Sequence, residues 1–131
     1  MSSWRDLQSF AFGDTPELAD ELLALVLAGR KTATCFAARD GQQTEVGQRW
    51  VVRDGTGRPR AVIETVELAQ RRWEEVDEAF AHDEGEGDRS LATWRENHRA
   101  YFARNGGFSE DMPLWCERFR LVQVIDPMPA R

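Results

Sequence analysis

Lysine is almost missing from this chain. Of its 17 basic residues, sixteen are arginine and one, Lys31, is lysine. A guanidinium stays charged at any pH a protein meets, whereas a desolvated amine can lose its proton. Lys31 therefore marks a position that uses a compact cation or a titratable nitrogen. Cysteine is scarce too. Cys35 and Cys116 are the two present, which excludes a disulfide framework or a cysteine-rich zinc site and makes a reducing cytoplasm the default compartment. The two histidines, His82 and His98, have no partner at a metal-ligand spacing. No apolar run approaches the ~20 residues of a membrane span, and the first residues lack the apolar segment of a signal peptide, so no membrane partner is expected. There is no run of Lys and Arg, and the net charge is −6. Non-specific duplex binding rests on a basic surface that releases counterions. Duplex DNA is therefore not expected, and a small polar ligand or a short single strand held in a pocket fits better.

What is present is the make-up of a soluble globule: 131 residues, 41% hydrophobic and 31% charged. That is one domain over residues 1–131, with its core at about 10–125. Thr15 as N-cap, Pro16 at the first helical position and Leu18, Leu22, Leu25 and Val26 at helical spacing predict a helix that Gly29 stops. Residues 32–36 are β-prone and residues 37–47 read as a long loop. Residues 50–53 and 61–68 read as a hairpin around the turn Asp54-Gly55-Thr56-Gly57. Trp73, Val76 and Phe80 fit a short helix, followed by an acidic loop over residues 82–88. Ser90 caps a second long helix carrying Leu91, Trp94, His98, Tyr101 and Phe102. A last strand, residues 115–125, sets Trp115, Phe119 and Leu121 on one side, and Pro127 and Pro129 mark a frayed tail. Strands with interspersed helices and no βαβ rhythm give an α+β class with mixed or antiparallel strands.

The residues around the lysine, Gly29-Arg30-Lys31-Thr32-Ala33-Thr34, match the G-x-K-x-x-T core of the ASCH domain family. Residues 80–91, from Phe80 through His82, Glu84 and Glu86 to Leu91, resemble the acidic segment and helix of its longer members. Residues 108–113 and 116–119 resemble their C-terminal strand region. The resemblance implies a PUA-like β-barrel with helices flanking its openings, a fold associated with RNA and modified-nucleoside recognition. It further implies an amidohydrolase acting on N4-acetylcytidine, with Lys31, Thr34 and Glu84 as the catalytic constellation and no metal or cofactor. Gly29, Arg30, Thr32, Arg39, Trp50, Glu64 and Trp73 are candidates for binding the substrate, a modified nucleoside or single-stranded RNA. One position departs from the family pattern: Phe36 stands where an arginine is common, and Arg39 is the nearest substitute.

Amide hydrolysis needs a nucleophile, a base and a group that stabilises the oxyanion. Thr34 supplies the hydroxyl. With Glu84 ionised and near Lys31, Glu84 is the base and Lys31 the cation. In a dry pocket with Glu84 protonated, Lys31 is the base. Side chains three apart on a flat strand face opposite sides, so Lys31 and Thr34 share a pocket only if the backbone turns between them. A turn near residues 31–33 is predicted. Cys35 should then point away from Thr34 into the core, and His98 reads as a structural histidine. Glu64 is either ion-paired with arginine or a second acid of the cleft. Trp50 and Trp73 are the candidates for stacking on a base. Two other readings compete: a non-catalytic RNA-binding module with a basic cleft, and a metal-assisted ribonuclease using the carboxylates around Glu84.

Overall fold

The computed structural model describes residues 3–125; the proline tail at Pro127 and Pro129 lies outside the described residues. The elements are β1 (Ser9–Phe10), α1 (Pro16–Leu27), β2 (Ala33–Ala37), β3 (Arg49–Arg53), β4 (Pro59–Arg72), α2 (Glu78–Glu84), α3 (Leu91–Arg104) and β5 (Pro113–Val124). They form an α+β fold around a single five-stranded sheet in the order β1-β3-β4-β5-β2. β1 runs parallel to β3 and all other neighbours are antiparallel. No helix among the described residues is long and apolar enough to cross a membrane.

The expected barrel is not closed. β1 and β2 are the two edges of the sheet. β1 is only two residues long, too short to offer β2 a ladder. The long pair β4–β5 is bent by register shifts at Val62/Ile63 and Thr65/Glu67, and such bulges increase local twist and curl a sheet without closing it.

The local signals explain the helices. The Thr15 hydroxyl accepts from the Leu18 backbone N–H, and the Ser90 hydroxyl accepts from that of Thr93. α2 extends to Glu84 and is capped by Asp77, whose carboxylate accepts from the Phe80 N–H. Residues 82–84 are thus the last turn of a helix rather than part of a solvated loop.

Two of the three apolar clusters on the sheet pack it against the helices. One joins Ala33, Ala37, Leu114 and Cys116 to Phe80, Trp94 and Phe102 of α2 and α3. The other joins Val52, Ala61, Ile63 and Phe119 to Phe12, Leu22 and Val26 near α1. Both faces of β5 are consequently buried in turn, which corrects the expected pattern. Leu114, Cys116 and Phe119 face the cores, while Trp115 is only half-buried and Leu121 is exposed. Fully burying each large apolar side chain contributes about 1.5–3 kcal/mol.

Candidate functional site

The chain leaves α1 by a tight turn that drives Lys31 inward. Gly29 has φ +75°, and the backbone N–H groups of Arg30 and Lys31 both donate to the Leu25 carbonyl, at 2.9 and 3.1 Å. Only after this turn does β2 begin, at Ala33. The expected break in extended structure is present, and Lys31 is buried, with 1% of its side chain exposed. Opposite it, α2 ends at Gly85 in the left-handed conformation. A Cβ there would collide with the Arg30 carbonyl oxygen, so glycine is what lets the two turns pack.

The Lys31 ammonium is held by four oxygens. These are the Ala33 carbonyl at 2.8 Å, the Glu84 carbonyl at 3.3 Å, Glu84 Oε1 at 3.0 Å and Glu86 Oε2 at 3.1 Å. Burial pulls the amine pKa down, but the charges of Glu84 and Glu86 outweigh it and leave the pKa above its ordinary value. Lys31 is therefore a fixed cation, and the alternative in which it acts as a base is not favoured. The other Glu84 oxygen, Oε2, accepts from Trp94 Nε1 at 2.8 Å and lies 3.5 Å from His98 Nε2. Burial pushes the Glu84 carboxyl up, yet Lys31, His98 and Trp94 together hold it well below the usual carboxylate range. Both its oxygens are occupied by donors, which makes it a poor proton acceptor.

Glu86 is different. It keeps 19% of its side chain exposed, and burial raises its pKa against the pull of Lys31. A raised carboxylate facing a cleft is matched to general-base work. His98 also belongs to this group. Its Nδ1 lies 2.9 Å from the Trp94 carbonyl, so that nitrogen carries a proton, and its ring stacks on Trp94 at 4.2 Å. With a carboxylate at Nε2, the imidazolium is favoured; burial lowers the His98 pKa but Glu84 outweighs it and raises it.

These groups line a cleft of about 790 Å³ between α1, β2 and α3, together with Thr34, Cys35, Phe36 and Tyr101. The volume suits a nucleoside-sized ligand. All three expected catalytic residues, Lys31, Thr34 and Glu84, are at this cleft. Cys35, expected to turn away from Thr34 into the core, packs against the core cluster around Phe80 and Trp94 and also lines the cleft. Cys35, Glu84 and His98 bring a sulfur, an oxygen and a nitrogen within 4.8 Å of one another. His98 therefore has potential metal-ligating partners, brought together from three elements and invisible to sequence spacing.

The seven other candidates do not line the cleft. Gly29 makes the turn that precedes Lys31. Arg30 donates to the carbonyls of Gly85 and Gly87 and so shapes the turn carrying Glu86. The Thr32 backbone N–H donates to the Asp83 carbonyl. Arg39 donates to the carbonyls of Asn105 and Gly107 after α3, and of Phe36 and Arg39 it is Phe36 that lines the cleft. Trp50 Nε1 donates to Thr44 Oγ1. Glu64 pairs with Arg49 and Arg120, as the simpler of its two readings had it. Trp73 is buried beside Trp94 and Phe108. Glu86 and His98 were the residues that sequence reasoning undervalued; the signal for Glu86 was its place two residues after Glu84 in the acidic segment.

Comparison with known proteins concerns the fold and the family. The ASCH domain sequence model matches residues 8–123. The fold is similar to the ASCH domain from Lactobacillus crispatus JV V101, at 34% identity and TM-score 0.82 over 88% of this chain and 79% of that one. It is also similar to a protein from Enterococcus faecalis V583, at 32% identity and TM-score 0.80 over 89% and 77%. ASCH from Zymomonas mobilis shares the fold at 12% identity and TM-score 0.56, over 92% and 71%. No curated protein matches in sequence.

Proposed function

The chain belongs to the ASCH domain family, and from that premise we propose that it hydrolyses the N4-acyl amide of a modified cytidine. Lys31, Thr34 and Glu86 are the reacting groups and Glu84 is the support. The observation that carries this reading is the Lys31 ammonium clamped between Glu84 and Glu86 at the wall of a cleft that also holds Thr34.

The division of labour follows from the contacts. Thr34 Oγ attacks the acyl carbon while Glu86 takes its proton. Once protonated, Glu86 no longer competes for the ammonium, so Lys31 turns its charge to the developing oxyanion, where a preorganised cation in a dry site is most effective. The C–N4 bond breaks as Glu86 returns the proton to N4. Water then cleaves the Thr34 ester and releases the carboxylic acid. Glu84 does not titrate in this cycle; it fixes Lys31, and Trp94 and His98 fix Glu84.

The character of the cleft favours a neutral small molecule over a polynucleotide. Glu21, Asp40, Glu84 and Glu86 all line it, and Arg104, the guanidinium there, is paired with Asp14. A phosphate chain would meet these acids without the basic track it needs. Phe36 and Tyr101 give apolar surface for a base or acyl group.

The test is incubation of the purified protein with N4-acetylcytidine and with single-stranded RNA, each with and without EDTA, with products followed by chromatography. Cytidine release is expected, together with intact RNA. Thr34→Val and Glu86→Gln should each lower kcat/KM by about 10²–10⁴-fold. Undiminished turnover by Thr34→Val would remove the nucleophile, and RNA cleavage without cytidine release would replace the reading by a ribonuclease.

A further inference from the structure

Cys35, Glu84 and His98 come from three separate elements, β2, α2 and α3. Their donor atoms lie within 4.8 Å of one another. The hydrolytic cycle proposed above does not use the Cys35 thiol, and it uses His98 only to brace Glu84. We propose that these three side chains form a binding site for one zinc-class divalent ion, with its fourth position open to the cleft.

The surroundings are those of a metal ligand set. A ligating histidine characteristically donates its other ring N–H to a carbonyl or carboxylate, and His98 Nδ1 is directed at the Trp94 carbonyl at 2.9 Å. This leaves Nε2 facing Glu84 Oε2 at 3.5 Å. The carboxylate is braced as well, by Trp94 Nε1 on Oε2 and by Lys31 on Oε1. Its two oxygens can therefore divide, one toward Lys31 and one toward the ion. Metal–ligand bonds of about 2.0–2.3 Å place tetrahedral donors roughly 3.3–3.7 Å apart, so closing the set requires movements of about 1 Å.

Charge is conserved on loading. The cluster holds two cations, Lys31 and protonated His98, against two carboxylates, Glu84 and Glu86. A dication enters as one proton leaves Cys35 Sγ and one leaves His98 Nε2, so the local sum does not change. A thiolate, an imidazole and a carboxylate select a zinc-class ion over magnesium or calcium, which prefer all-oxygen sets. Three protein ligands and an open position are the arrangement of exchangeable rather than purely structural zinc. The inference does not depend on the hydrolase reading.

Cobalt(II) is the probe, because thiolate ligation gives a near-ultraviolet charge-transfer band and four-coordination gives strong visible bands. Reduced, metal-free full-length protein is titrated with Co²⁺. The expected result is both features at about one equivalent, bleached by Zn²⁺ and untouched by excess Mg²⁺. Cys116 lies directly across the strands from Cys35 and is the internal control. Cys116→Ser keeps the near-ultraviolet band, Cys35→Ser loses it, and His98→Gln weakens Co²⁺ binding by at least about tenfold. Circular dichroism of each metal-free variant establishes that it is folded. A wild-type titration without the thiolate band overturns the site whatever the variants do, as does a band that survives Cys35→Ser or disappears in Cys116→Ser.

Discussion

Two carboxyl groups, Glu84 and Glu117, are buried in this protein to nearly the same degree, with 1% and 6% exposure. Glu84 sits against two cations and an indole N–H and is held ionised. Glu117 sits inside the sheet at the end of a neutral chain of donors. Trp50 Nε1 donates to Thr44 Oγ1 at 2.9 Å, Thr44 and Thr65 share a hydrogen bond of 2.9 Å, and the Thr65 hydroxyl donates to Glu117 Oε2 at 2.6 Å. Burial there wins over Thr65 and a distant Lys31, and the Glu117 pKa rises. Depth alone therefore does not decide which way a carboxyl pKa moves. What decides it is whether the partner brings a full charge or only a dipole, and only the charged cluster opens onto the cleft.

The sharpest way to break this contrast is Lys31→Met, which keeps the volume and removes the cation. Glu84 is then buried with His98, 3.5 Å from Oε2, as its one remaining cationic neighbour in the cluster. Removing one member of a buried ion pair costs about 3–5 kcal/mol, read as a drop in the denaturant midpoint at pH 7. Adding Glu84→Gln to that variant should restore part of the loss, because the two changes are coupled. A loss under about 1 kcal/mol would mean that Lys31 does not compensate Glu84. Thr65→Val is the corresponding change in the neutral cluster. It strands Glu117 Oε2 and the Thr44 hydroxyl but removes a hydrogen bond rather than an opposite charge, so about 1–3 kcal/mol is expected.

The pH dependence of the charged cluster sharpens the comparison further. Glu84 has a lowered pKa, so its contribution is present above its ordinary value near 4.5 and is lost as pH falls through the folded-state value. His98 has a raised pKa, so its contribution is full below about 6.5 and is lost as pH rises through the folded-state value. The two overlap between about pH 4.5 and 6.5. His98→Gln should therefore cost about 1 kcal/mol at pH 6 and progressively less toward pH 9. A cost independent of pH would mean that His98 is held neutral.

The legibility of the two clusters in the sequence differs for the same physical reasons. Lys31 was legible because it is the lone lysine and because Thr15, Pro16 and Gly29 fix where α1 begins and ends. Thr34 and Glu84 followed from the family motif. Glu86 and His98 were underread, since an acidic, glycine-broken stretch looks solvated until Asp77 is recognised as a cap that carries α2 through Glu84. His98 depends on a tertiary partner across α2 and α3, which periodicity cannot reveal. Trp50 and Trp73 were placed at a rim by residue type, whereas packing buries Trp73 and half-buries Trp50 against Phe10. The open sheet was missed because the family fold says nothing about a β1 of two residues.

Glu117→Gln is the smallest and most discriminating change. The raised pKa of Glu117 means that its contribution is full below about pH 4.5 and is lost as pH rises through the folded-state value. Burial therefore opposes the ionised form of this carboxyl, and a neutral amide removes that opposition. Its carbonyl oxygen still accepts from Thr65, so the donor chain from Trp50 stays complete. The expected change at pH 7 is within about 1 kcal/mol of zero, with a shift toward greater cost for the variant as pH approaches 4. The measurement is a pair of denaturation midpoints across that range. A large, pH-independent loss would show that Glu117 is needed as an anion, and the distinction between a charge-compensated and a dipole-satisfied carboxyl would no longer separate the cleft from the sheet.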